Sequence, residues 1–128
     1  MHNSYQISEA EWQVIQVLWR EESLPLKDII DVVSPITGWN GNTIRTLLVR
    51  LVEKGAVAAE KQGRNYRYSA LAGEEDCVRE ETRNFLNRIF DGSATKLFAA
   101  LTGSGDISAK DLSEIRAMID AMEGEGRP

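Results

Sequence analysis

A chain of 128 residues, 42% hydrophobic and 27% charged, has the composition of one globular domain or two small ones. No run approaches the roughly 18 apolar residues that a bilayer span needs. The start, Met1 to Gln6, lacks the basic residues and apolar stretch of a secretory leader. Cys77 is the only cysteine and excludes an internal disulfide. Together with His2, the only histidine, it is too little for a closed His/Cys zinc site. The expectation is a cytoplasmic protein with no metal or other cofactor and no membrane contact. An enzyme is disfavoured too, because there is no Ser/His or Cys/His set and no glycine-rich phosphate loop.

Taken alone, the net charge of −5 argues against a polyanion partner. Its distribution argues the other way. Residues 1–70 carry eight Lys/Arg and eight Asp/Glu, whereas residues 71–128 carry seven and twelve. Between 42 and 68, Arg45, Arg50, Lys54, Lys61, Arg64 and Arg67 face only Glu53 and Glu60, a local balance of +4. A basic face of this kind counts for more than the whole-chain sum.

In chain order, Ser8-Glu9-Ala10-Glu11 is a capping box that opens a helix. Ile7 can staple onto Trp12, and Trp12, Ile15, Leu18 and Trp19 follow at helical spacing. Arg20-Glu21-Glu22 ends this element. A short second helix fits Leu26 to about Val33, with Pro35 as its stop. Asn40 is a good N-cap for a third helix. Its apolar face is Ile44, Leu47, Leu48, Leu51 and Val52, and Gly55 is its left-handed end. The opposite face reads Asn42, Thr43, Arg45, Thr46, Val49 and Arg50, with no acid before Glu53. A hairpin follows, Val57–Lys61 and Asn65–Ser69 around Gln62-Gly63-Arg64.

After Gly73 the composition changes. A long amphipathic helix is expected from Glu74 to Phe90, with Val78, Phe85, Leu86, Ile89 and Phe90 as its apolar positions. Glu74-Glu75-Asp76 suits its start, where the dipole favours negative charge. Asp91-Gly92 breaks it. A short helix is expected over Ser93–Leu101, then a hinge-like loop at Gly103-Ser104-Gly105. Ser108 caps a last helix in which Leu112, Ile115, Ile119 and Met122 form a coiled-coil-like seam. The tail from Gly124 to Pro128 is expected to be disordered. Trp12, Trp19 and Trp39 are read as core, and Cys77 as a packing residue.

Helix, helix, helix and hairpin is the element order of a winged helix-turn-helix. The expected fold is mainly α with a small β-hairpin: a winged-helix DNA-binding domain over residues 1–72 and a helical dimerisation region over 73–128. In such a domain the third helix enters the major groove and the wing meets the backbone, so Arg45, Lys61, Arg64 and Arg67 are candidate DNA contacts. The C-terminal helices have too few apolar residues for a core of their own. Val78, Phe85, Leu86, Ile89, Leu112, Ile115, Ile119 and Met122 are therefore the candidate surface for a homodimer.

The residues also carry a family resemblance. Ile7 to Trp12, Val17-Leu18-Trp19, Trp39, the run Thr43 to Gly55, the wing Glu60 to Tyr68, and Phe85 to Arg88 together resemble the BlaI/MecI/CopY family of transcriptional repressors. That resemblance spans about Ile7 to Met122 and implies a homodimeric repressor of an inducible operon, for β-lactam resistance in one branch and copper export in another. It implies double-stranded operator DNA as partner, contacted through Asn42, Thr43, Thr46 and Arg50. Members often carry Ser-Pro-Lys before the matching threonine. Asn40-Gly41-Asn42 stands here instead and removes one cationic contact.

The copper branch uses a C-terminal cysteine motif, which this chain lacks. The β-lactam branch is inactivated by a sensor protease that cuts between Asn and Phe in the dimerisation region, and the matching bond is Ala100-Leu101. An intact, packed helix is the alternative at that bond. A winged-helix protein-interaction module and a ligand-responsive regulator remain rival readings, and the basic window favours DNA.

Overall fold

The structure, a computed structural model, describes residues 5–124. His2 and residues 125–128 of the tail lie outside them. Six helices and three short strands follow in the order α1 (Glu9–Leu18), β1 (Leu24–Pro25), α2 (Leu26–Thr37), α3 (Gly41–Glu53), β2 (Val57–Gln62), β3 (Asn65–Ala70), α4 (Glu74–Phe90), α5 (Ala94–Ser104) and α6 (Ala109–Gly124). They group into two compact units, one up to Thr82 and one from Arg83.

The first helix starts as its sequence dictates. The Ser8 hydroxyl accepts from the Glu11 N–H at 3.1 Å, and the Ser8 N–H donates to the Glu11 carboxylate at 2.8 Å. Val14, Ile15, Val17 and Leu18 of α1 then meet Ile29 and Val33 of α2 and Ile44, Leu47, Leu48 and Leu51 of α3. Each such side chain adds about 1.5–3 kcal/mol when fully buried. Ala56, Val57, Ala72 and Cys77 complete this core, with the three tryptophans half-buried around it. The Trp19 indole N–H, which needs a partner once covered, donates to the Ala72 carbonyl at 2.9 Å. Tyr5, Ile7 and Trp12 close over Cys77. Burial, and then the Glu80 and Asp76 carboxylates, push its thiol up.

Pro35 does not stop α2 but lies inside it. The turn it weakens is held from outside the backbone ladder. Thr37 Oγ1 donates to the Val33 carbonyl at 2.9 Å, Ser34 Oγ donates to the Trp39 carbonyl at 2.7 Å, and Gly38, at φ +79°, provides the left-handed end. A strand that local patterning does not announce, Leu24–Pro25, pairs antiparallel with β3 at Tyr68 and Arg67. The sheet order is β1-β3-β2, with the hairpin in register from Val57–Ala70 to Gln62–Asn65. Gly63, at φ +64°, sits first in the two-residue turn, where a type II′ hairpin demands a positive φ.

In the second unit, Asp91 and Gly92 end α4 with two successive positive φ values, +52° and +79°. Helix α5 runs on through Gly103 and Ser104, where a hinge was expected. Hydroxyls of Thr102 and Ser104 bond back to the Ala99 and Leu101 carbonyls, and Gly105 ends the helix in the left-handed region. Ser108 and Asp111 exchange hydrogen bonds at the start of α6, at 3.0 and 3.1 Å. Gly124, expected to begin a disordered tail, is the last residue of that helix.

Candidate nucleic-acid interface

The third helix is fixed at both ends by its own sequence. Asn40 Oδ1 accepts from the Thr43 N–H at 2.9 Å. At the other end the Gly55 N–H reaches the Val52 carbonyl and the Ala56 N–H the Leu51 carbonyl, a Schellman closure around Gly55 at φ +79°. With Ile44, Leu47, Leu48 and Leu51 buried, Asn42, Thr43, Arg45, Thr46, Val49 and Arg50 all stand in solvent. Arg50, in the last turn, also complements the negative end of the helix dipole.

A second attachment sets the orientation of α3. The Lys54 ammonium pairs with the Glu11 carboxylate and donates to the Gln6 carbonyl at 2.7 Å. Glu11 is only 2% exposed. Burial pushes its carboxyl up, but Lys54 and the Ser8 N–H outweigh that and hold it below the ordinary carboxylate range.

The wing brings Arg64 toward the same side. A groove of about 720 Å³ lies between the start of α2, Arg45 of α3 and the hairpin, lined by Lys27, Asp28, Asp31, Arg45, Arg64, Asn65, Tyr66 and Tyr68. Arg45 and Arg64, far apart in sequence, share this groove. Lys61 is exposed across the hairpin from Tyr66. Arg67 is set apart from these. Its Nε and one Nη donate to the hydroxyl and carbonyl of Ser23 at 3.0 and 2.9 Å, so it braces the wing root against the segment entering β1. Sequence reasoning missed Lys27, which lies outside the basic window, and placed Tyr66 only within the second strand of the hairpin. The folded groove is the signal that unites them.

Of the residues expected at a subunit interface, Val78, Phe85, Ile89, Leu112, Ile119 and Met122 are exposed, while Leu86 and Ile115 are half-buried. Phe98 and Met118, not anticipated, are exposed as well. Ala100 is exposed and Leu101 half-buried, beside Asp106, Ile107 and Ile115. Among the described residues no cluster of His, Cys, Asp and Glu could hold a metal ion, and no helix is long and apolar enough to cross a membrane.

Known proteins match this architecture. The profile of the family described as Penicillinase repressor matches residues 7–121. The methicillin resistance regulatory protein MecI of Staphylococcus aureus is 29% identical over 119 residues, covering 93% of this chain and 97% of its own. The penicillinase repressor of Bacillus licheniformis is 30% identical over 115 residues, 90% of each chain. Among solved structures, the DNA-binding domain of the repressor BlaI aligns with a TM-score of 0.53 and 37% identity, over 59% of this chain and 93% of that one. The Bacillus licheniformis BlaI monomeric form in complex with the blaP half-operator aligns with the same values. With that profile spanning nearly its whole length, and with a winged-helix N-terminal unit, the chain belongs to the penicillinase repressor family.

Proposed function

We propose that this protein is a cytoplasmic DNA-binding transcriptional repressor that holds a palindromic operator as a homodimer and leaves it on an inducing signal. The observation that carries the reading is the solvent face of α3, polar and cationic with no carboxylate before Glu53, set beside a groove that holds Lys27, Arg45 and Arg64. Asn42, Thr43, Thr46 and Arg50 face base edges in the major groove, and Arg45, Lys61 and Arg64 meet phosphates. Arg67 supports the wing from behind. A related monomer bound to a half-operator supports one winged unit per half-site. Residues 1–72 are the DNA-binding part in this reading, and residues 73–128 join two copies through the exposed apolar side chains of α4 and α6.

Salt titrations on operator and on random duplex test the DNA face. Arg50→Ala should weaken operator binding by about 1–3 kcal/mol and relax its specificity. Arg64→Ala should weaken both duplexes alike and lower the salt slope by about one. Unchanged affinity in both variants overturns the assignment.

The inducing step in this reading is a cut by a sensor protease at Ala100–Leu101. Helix α5 has no buried residue, and a helix of 11 residues is marginal by itself in water, so opening it for a protease costs little. The cut would separate α6 and its seam from the DNA-binding part. Mass spectrometry of the repressor from induced cells should find fragments meeting at that bond. Intact chain in fully induced cells would reject this route.

A further inference from the structure

At about 3.6 residues per turn, the solvent face of α3 reads, in angular order, Arg45, Val49, Asn42, Thr46, Arg50, Thr43. Val49 stands on it between Arg45 and Asn42 and is 49% exposed, while no residue of the buried face exceeds 4%. It is neither in the core nor among the half-buried side chains packed against the core. Helix propensity does not explain it either, since a β-branched residue at an exposed helical site is poorer than the common straight-chain alternatives. Thr46, three residues earlier, is its neighbour on the helix surface. The Thr46 hydroxyl donates to the Asn42 carbonyl at 2.9 Å. Its donor is thus turned back onto the helix, and the γ-methyl and oxygen lone pairs are what it offers outward.

Two methyl-bearing side chains side by side on a polar face call for an apolar counterpart. On base edges in the major groove there is one such group, the C5 methyl of thymine. We propose that Val49, with the γ-methyl of Thr46, forms an apolar spot that selects a thymine by its methyl group. The inference rests on the reading of α3 as the DNA-recognition helix and adds to it a contact made without hydrogen bonds. It also assigns Thr46 to shape and methyl contact rather than to hydrogen-bond donation.

The test uses the full chain and an operator selected from a random-sequence duplex library at fixed salt. Each thymine of the selected half-site is then replaced in turn by deoxyuridine, which removes only the methyl. The unaltered protein should bind about three- to fivefold more weakly at one position, the equivalent of one buried methyl. In Val49→Ala that ratio should fall to near one at the same position, and in Thr46→Ser it should fall part of the way. Val49→Thr, which keeps a β-branched methyl, should retain it. No charge is lost in any variant, so the salt slope should stay unchanged. Insensitivity of the unaltered protein to every replacement overturns the proposal, as does a ratio that survives Val49→Ala. Failure of the underlying reading looks different, since no variant, nor the unaltered chain, would then bind the library with salt dependence.

Discussion

Ile115→Asp is expected to leave this protein monomeric and unable to hold a two-half-site operator, with its winged unit still folded. Burial of an isoleucine side chain is worth about 1.5–3 kcal/mol, and a two-fold interface counts each substitution twice. The loss of about 3–6 kcal/mol raises the dimer dissociation constant by about two to four orders of magnitude. Each monomer then binds one half-site without help from a linked second one. Ile115 also touches the space between α5 and α6 with Leu101, Ile107 and Met118, so its replacement loosens that pair in addition. Ile119, 50% exposed, lies in the same seam, and Ile119→Asp isolates the interface. Sedimentation equilibrium reads both. A dimer of undiminished affinity in both variants would place the seam inside one subunit.

Lys54→Met should lower the stability of the N-terminal unit by about 2–4 kcal/mol at neutral pH, because it leaves a buried carboxylate without its cation. Glu11 would keep only the N–H and hydroxyl of Ser8. The pH dependence follows from the direction of the shift. In the unaltered protein the folded Glu11 carboxyl titrates below its ordinary value of 4.5, so its contribution is present above that value and lost as pH falls through the folded one. In Lys54→Met, burial acts unopposed by the ammonium and pushes the carboxyl up. Acid then relieves the variant while it weakens the unaltered protein. Urea denaturation at several pH values should find the two stabilities converging below about pH 4.5. A gap that holds constant into acid, or no gap at neutral pH, would refute the role given to the pair.

What the sequence reveals here is what local chemistry decides. The Ser8–Glu11 box, the Asn40 cap, the Gly55 end and the Asp91-Gly92 break each involve groups within a few residues of one another, and all were legible before folding. Leu24–Pro25 becomes a strand only because the hairpin arrives beside it. Pro35 stays inside α2 because Ser34 reaches Trp39 and Thr37 reaches Val33, a set of bonds that no propensity scale contains. The Lys54–Glu11 pair and the Arg67 brace on Ser23 link positions more than 40 residues apart. For the candidate site, the α3 face was readable from periodicity alone. Its junction with Arg64 and Lys27 was not, since a groove is a property of the packed elements.

The closures at the two ends of α3 carry an evolutionary consequence. Asn40 holds one end and the backbone around Gly55 the other, while Ile44, Leu47, Leu48 and Leu51 anchor the inner side. Stability of the helix is therefore vested in positions that point away from the outer face. Asn42, Arg45 and Val49 can drift one at a time without the fold resisting, and Arg50 at the cost only of its favourable place at the negative end of the helix, so the address this protein reads can be rewritten while the reader itself persists. Thr46, whose hydroxyl is tied to the Asn42 carbonyl, is the outer-face position where such drift would meet a local restraint.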